Sequence, residues 1–194
     1  VGYTNAGKST LFNRLTGAEV RAEDLLFATL DPTMRAIKLP GHDKVVLSDT
    51  VGFVSDLPTQ LVAAFRATLE EVMEADLIIH VRDISHPDSD AQAQDVIDVL
   101  TSLGLAPGQR ETPMITVFNK IDALASDAQP VRMVDTYEVD GQQCPRVFIS
   151  ARDMTGLQGL RDCLSQAASL NGSQPQSLMH DDDGLAQTCV PLSA

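Results

Sequence analysis

The stretch Gly2-Tyr3-Thr4-Asn5-Ala6-Gly7-Lys8-Ser9-Thr10 brings two glycines, a lysine and adjacent hydroxyls together at a spacing suited to a polyphosphate. A Gly, four residues and then Gly-Lys-Ser is the phosphate-loop pattern. Gly2 and Gly7 let the chain turn tightly enough to aim backbone N–H groups at a β-phosphate. Lys8 can then reach the β- and γ-phosphate oxygens, and the Ser9 hydroxyl can bind the Mg²⁺ between them. The plain alternative is a glycine turn leading into a helix.

Two further groups of residues argue against that alternative. Asp49-Thr50-Val51-Gly52 lies about 40 residues beyond the loop, after the apolar run Val45-Val46-Leu47. An Asp at a strand end can hold the Mg²⁺ shell, and Gly52 lets its backbone N–H approach a γ-phosphate. Between these motifs, Leu26-Phe27-Ala28-Thr29-Leu30-Asp31-Pro32-Thr33 reads either as a surface loop or as a nucleotide-sensing switch in which a Thr hydroxyl binds Mg²⁺. Thr29 and Thr33 both qualify, and spacing does not choose between them. Phe53 follows Gly52 where many small GTPases place a Gln that orients the attacking water. An aromatic ring cannot do that work, so hydrolysis needs another group, ion or partner, or else is slow.

The third constellation, Asn119-Lys120-Ile121-Asp122, selects the base. A carboxylate at Asp122 can accept both N1–H and the 2-amino group of guanine, while adenine presents a lone pair at N1. Asn119 would tie this loop to the phosphate loop, and the Lys120 stem can lie along the base plane. At Ser150-Ala151-Arg152 a backbone N–H can meet the guanine O6.

These loops need elements to hold them. Leu11 and Leu15, with a turn at Gly17, predict a short helix whose positive end faces the phosphates. Ile37 and Leu39, the turn Pro40-Gly41-His42-Asp43 and the return run Val45 to Leu47 predict a hairpin. Leu61, Ala64, Phe65, Leu69, Val72 and Met73 predict an amphipathic helix over 57–73, its stripe being core packing. Leu77 to Val81 reads as a buried parallel strand, with His80 a hydrogen-bonded core histidine rather than a base. A helix capped by Asp88 or Ser89 buries Val96, Ile97, Leu100 and Leu103 and ends at Gly104. Strands are expected at 114–118 and 147–149, and a closing helix over 156–170 with Leu157, Leu160, Leu164 and Ala168 inside. The whole is an α/β fold, a mixed and mostly parallel sheet flanked by helices. Past Asn171 the composition is that of a linker, and 171–194 reads as a disordered tail. His180-Asp181-Asp182-Asp183 lacks calcium-loop spacing and reads as solvated acid.

The totals agree with a globular domain: 194 residues, 43% hydrophobic and 21% charged. A net charge of −13 argues against a broad basic face for DNA. No apolar run approaches the roughly 18 residues of a membrane span, and no secretory signal is visible, so the cytoplasm is expected. Cys144, Cys163 and Cys189 form no C-x-x-C pair and read as incidental thiols. Because the sequence opens at Val1 directly before the phosphate loop, the strand that feeds such loops is expected to be truncated.

With these motifs placed, the chain resembles the G domain of the HflX family of translation-associated GTPases. The resemblance spans about residues 1–170 and is carried by the three loops, by Leu26 to Thr33, and by Ser150-Ala151. Asp56-Leu57-Pro58 and Gln60-Leu61-Val62-Ala63-Ala64-Phe65-Arg66-Ala67-Thr68-Leu69-Glu70-Glu71 complete it. Switch one and the helix after Phe53 separate HflX from relatives such as Obg. The resemblance implies GTP hydrolysis to GDP, Mg²⁺ at Ser9, Thr29 and Asp49, and nucleotide contacts from Phe27 to Asp31. It also implies binding to the large ribosomal subunit, with a part in splitting or rescuing stalled ribosomes. It favours Thr29 over Thr33. The chain is expected to be a monomer. Related GTPases with Asn at the position of Asn5 use it to hold a K⁺ ion in place of a catalytic arginine, which makes Asn5, Lys8 and Thr29 the expected catalytic set. Arg152 stands where many GTPases have Lys.

Overall fold

The computed structural model of the chain describes residues 1–18, 33–50, 52, 53, 70, 72–102, 104, 112–139 and 142–171. The expectations for Phe27, Ala28, Thr29, Leu30, Asp31 and Val51, for nearly all of the helix over 57–73, and for the tail beyond 171 lie outside the described residues.

Helix α1 (Lys8–Thr16) starts at Gly7, whose φ of 90° is left-handed, and stops at Gly17, also left-handed, whose N–H bonds back to Asn13. It buries Leu11, Phe12 and Leu15, the spacing of one helical face. Strands β1 (Thr33–Leu39) and β2 (His42–Asp49) pair antiparallel from Thr33–Asp49 to Leu39–His42, with Pro40-Gly41 as the two-residue turn. Thr33, one of the two switch candidates, is therefore the first residue of β1, directly opposite Asp49.

The main sheet has the order β3-β4-β6-β5. Strands β3 (Ile78–Asp83) and β4 (Met114–Asn119) are parallel over their whole lengths. β4 and β6 (Gln142–Phe148) are parallel from Thr116–Arg146 onward. The edge is β5 (Val134–Val139), antiparallel to β6 and absent from the sequence expectations, as was most of β6. On the other side the phosphate loop's lead-in pairs with the sheet. Val1 bonds to Ile79 and Val81 of β3, while Tyr3 bridges Phe53 in parallel. This fold is α/β, with three parallel strands whose C-terminal ends share one edge.

Helix α2 (Ser89–Ser102) buries Val96 and Leu100. The Ser89 hydroxyl has no partner among the described residues, so it is not the helix cap. Helix α3 (Leu157–Asn171) packs Leu157, Leu160 and Leu164 on the core that contains Leu11, Leu15, Ile37, Leu39, Val117 and Val147. A second core on the opposite side of the sheet joins Phe53, Val72, Ile78, Val96, Leu100 and Met114. His80 is buried and burial pushes its pKa down to about 3, with Arg82 and Lys8 adding to the effect, so it is a neutral core residue.

The β1–β2 hairpin leans on α3. His42 Nε2 donates to the Ser165 carbonyl (3.1 Å) and lies 3.0 Å from Ser169 Oγ, while Ser165 Oγ donates to the Pro40 carbonyl. Arg161 of α3 donates to the Leu15 carbonyl at 3.0 Å and to that of Lys38 at 3.4 Å.

Candidate functional site

The site is built where the parallel strands end and α1 begins. The first N–H groups of α1 have no acceptor within the helix, which leaves its N-terminus positive. Acidic residues are absent from that first turn. Lys8 reaches back to donate to the Tyr3 carbonyl at 2.8 Å, inside the loop. Burial pushes its pKa down to about 8, and the Asp49 carboxylate opposes that fall. Asp49 itself is 3% exposed at the end of β2.

Gly52 packs on this loop. A Cβ there would stand 2.8 Å from Thr4 Cα and 3.1 Å from Lys8 Nζ, so only glycine lets the strand end approach. Thr4 N–H donates to Phe53 O (2.8 Å) and Phe53 N–H to Gly2 O (3.1 Å). Phe53 is 2% exposed and belongs to the second core, against which Val1 and Tyr3 also pack, as suits an apolar side chain. Asn5 sits at φ 58°, left-handed.

The residues expected to select the base join the same edge. Asn119, at the end of β4 and 2% exposed, donates from Nδ2 to the Ala6 carbonyl at 3.0 Å. Its Oδ1 accepts the Ala151 N–H, also at 3.0 Å. One buried amide thus fastens the phosphate loop, the Asn119–Asp122 turn and the Ser150–Arg152 loop to each other. A guanine O6 meeting Ala151 would share that hydrogen with Asn119. Ile121 N–H bonds to Ile149 O, and Asp122 Oδ2 lies 3.7 Å from the exposed Arg152 guanidinium. Ser150 Oγ accepts the Asp153 N–H, which closes the turn.

Three residues that sequence reasoning passed over also bear on the site. Arg14 of α1 donates to the carbonyls of Ala151 (3.1 Å) and Arg152 (3.3 Å), holding the third loop from the side opposite Asn119. Asp83, at the end of β3, pairs with Lys120 at 2.8 Å and is bonded by Ser85. Their signal was position: open α/β sheets bind ligands outside the carboxyl ends of their strands, where Asp83 stands.

The donor set suits Mg²⁺. Ser9 and Asp49 offer hard oxygen donors, and this ion is usually held by one or two such groups plus substrate phosphates rather than by an all-protein cage.

Residues 1–120 match the family model described as 50S ribosome-binding GTPase. The chain belongs to that family. Its relatives include the GTPase HflX of Magnetococcus marinus, 60% identical over 126 residues (65% of this chain, 28% of that protein). The GTPase HflX of Escherichia coli is 44% identical over 169 residues (87% of this chain, 38% of that protein). This is an HflX-type G domain, and it spans well under half the length of the HflX relatives it matches. Among solved structures, the complex of SsGBP and GDP is 30% identical with a TM-score of 0.63, covering 88% of this chain and 49% of that one. NFeoB from S. thermophilus bound to GDP.AlF4- and K+ shares the fold at 22% identity and TM-score 0.61, over 87% of this chain and 59% of that one. No helix among the described residues of the HflX-type domain is long and apolar enough to cross a membrane.

Proposed function

We propose that the chain binds GTP and hydrolyses it to GDP and phosphate, as a slow switch stimulated by the large ribosomal subunit. The observation that carries this reading is the Asn119 amide, which fastens Ala6 of the phosphate loop and Ala151 of the base loop at 3.0 Å each. A ligand with a polyphosphate at one end and a purine at the other matches that separation of roles.

Lys8, Ser9, Thr10 and the backbone of Gly2 to Gly7 take the phosphates. Lys8 neutralises charge that grows on the β–γ bridge as the bond to the γ-phosphorus breaks. Asp122 accepts from guanine N1–H and its 2-amine, with Ile121 and Lys120 framing the base and Ser150, Ala151 and Arg152 closing over O6. Gly52 brings its backbone N–H to the γ-phosphate, and Thr50, Val51 and Phe27 to Asp31 are assigned nucleotide contacts from the family resemblance. Ser9, Thr29 and Asp49 would hold Mg²⁺, which would supply positive charge to offset that of the phosphates. Asn5 would hold a K⁺ ion, whose charge would stand in for a catalytic arginine.

Ribosome association is supported by the family description. A role in splitting or rescue is what the resemblance to HflX implies. A second reading, a nucleotide-dependent binding module with little hydrolysis, is favoured by the burial of Phe53, which removes any water-orienting side chain from that position. Single-turnover hydrolysis with and without 50S subunits separates the two. Turnover that rises with 50S subunits supports the switch; silence under both conditions supports the module.

A further inference from the structure

Lys120 is the one residue of the base-selecting turn that adopts a left-handed backbone, at φ 68° and ψ 34°. Such a conformation is strained for a non-glycine residue, so its surroundings must hold it. The turn after β3 supplies the hold. Ile84 N–H donates to the Asn119 carbonyl at 3.1 Å, joining the two strand ends just before Lys120. The Asp83 carboxylate is oriented by both of its oxygens. Oδ1 accepts the Ser85 N–H at 3.0 Å and the Ser85 hydroxyl at 2.6 Å, which leaves Oδ2 for the Lys120 ammonium at 2.8 Å. Burial pulls the Asp83 pKa upward, yet the hydrogen bonds from Lys120 and Ser85 outweigh it and hold the group below the usual carboxylate range. The side chain is 11% exposed, against 36% for Lys120. The carboxylate is the fixed partner and the ammonium the one it captures.

We propose that Asp83, braced by Ser85, is a positioning residue for guanine binding: it pins the Lys120 ammonium so that the four-carbon stem forms one wall of the base site. This rests on the reading of the Asn119–Asp122 turn as the base site. A lysine stem left free keeps much of its rotamer entropy, and a ligand that must order it binds more weakly. The pinned stem has been ordered in advance. The phosphates, bound by other residues, gain nothing from it.

The test is a GDP titration of the full 194-residue chain carrying Asp83→Asn, Lys120→Met, or both, with inorganic tripolyphosphate as a probe that lacks a base. Asp83→Asn should weaken GDP about three- to tenfold, the range for one partly exposed charged hydrogen bond, and leave tripolyphosphate binding unchanged. Ser85→Ala should move GDP affinity in the same direction by less. In the Lys120→Met background, Asp83→Asn should have no further effect, because the group it positions is gone. A merely structural role would persist there and would weaken tripolyphosphate as well; either result overturns the proposal. Equal GDP affinity for wild type and Asp83→Asn overturns it alone. A wild-type chain that binds tripolyphosphate but not GDP overturns the base-site reading and this inference together.

Discussion

Gly7 and Asn119 occupy each other's space: a Cβ at Gly7 would stand 2.3 Å from the Asn119 Nδ2 that bonds to Ala6. The bend of the phosphate loop and the amide that links it to the base loop therefore depend on the same missing side chain. Gly7→Ala, also strained at φ 90°, should weaken GDP at least about tenfold in a titration. Asn119→Ala frees two buried backbone groups and should lower unfolding stability by about 1–3 kcal/mol in urea melts.

Asp122→Asn exchanges one acceptor for an NH₂ donor, which suits the 2-carbonyl of xanthine and opposes the 2-amine of guanine. Preference should move from GDP to XDP in competition binding. Unchanged GDP affinity would remove Asp122 from base recognition.

Hydrolysis measured in K⁺ should exceed that in Na⁺, and Asn5→Ala should erase the difference. Equal rates in the two salts would take Asn5 out of the mechanism.

The Lys8 pKa near 8 sets a pH dependence with a definite sign. Below that value the amine is charged and ready for phosphate. Above it, binding must recapture a proton, so GDP affinity should fall with slope approaching tenfold per unit between about pH 8 and 9. In the ligand-free chain the native amine gives up its proton before the unfolded one does. Stability should therefore rise with pH from about 8 towards the unfolded lysine value of 10.5.

His80 acts at the acid end. Its native pKa of about 3 lies under the unfolded 6.5, so the unfolded chain binds the extra proton as pH falls. This group's share of the loss of stability should approach about 1.4 kcal/mol per pH unit below 6.5 and level off near 3. Comparing urea midpoints of wild type and His80→Asn between pH 7 and 5 isolates that share, and parallel curves would exclude it.

Much of the architecture was legible because its signals are local. Leu11 and Leu15 mark α1, Pro40-Gly41 marks the hairpin turn, and the apolar runs before Asp83 and Asn119 mark β3 and β4. The edge strand β5 was missed because half-exposed pairing leaves only a faint alternation in Val134-Asp135-Thr136-Tyr137-Glu138-Val139. Pro145 also hid the length of β6. It is tolerated because β4 pairing begins only at Arg146, so at Pro145 the strand has β5 alone as its neighbour. Within the site, the three loops could be read from spacing, whereas Arg14 and Asp83 act across more than a hundred residues and across a strand pair respectively. No periodicity encodes such contacts.

The β1–β2 ladder is a stiff lever on the order of 25 Å long, with Asp49 at one tip and the Pro40-Gly41 turn at the other. Its far tip is latched to α3 through His42 and Ser165. A shift of α3 would therefore reach the strand that carries Asp49 through contacts along the rim, beside the packing of Ile37 and Leu39 on the central core.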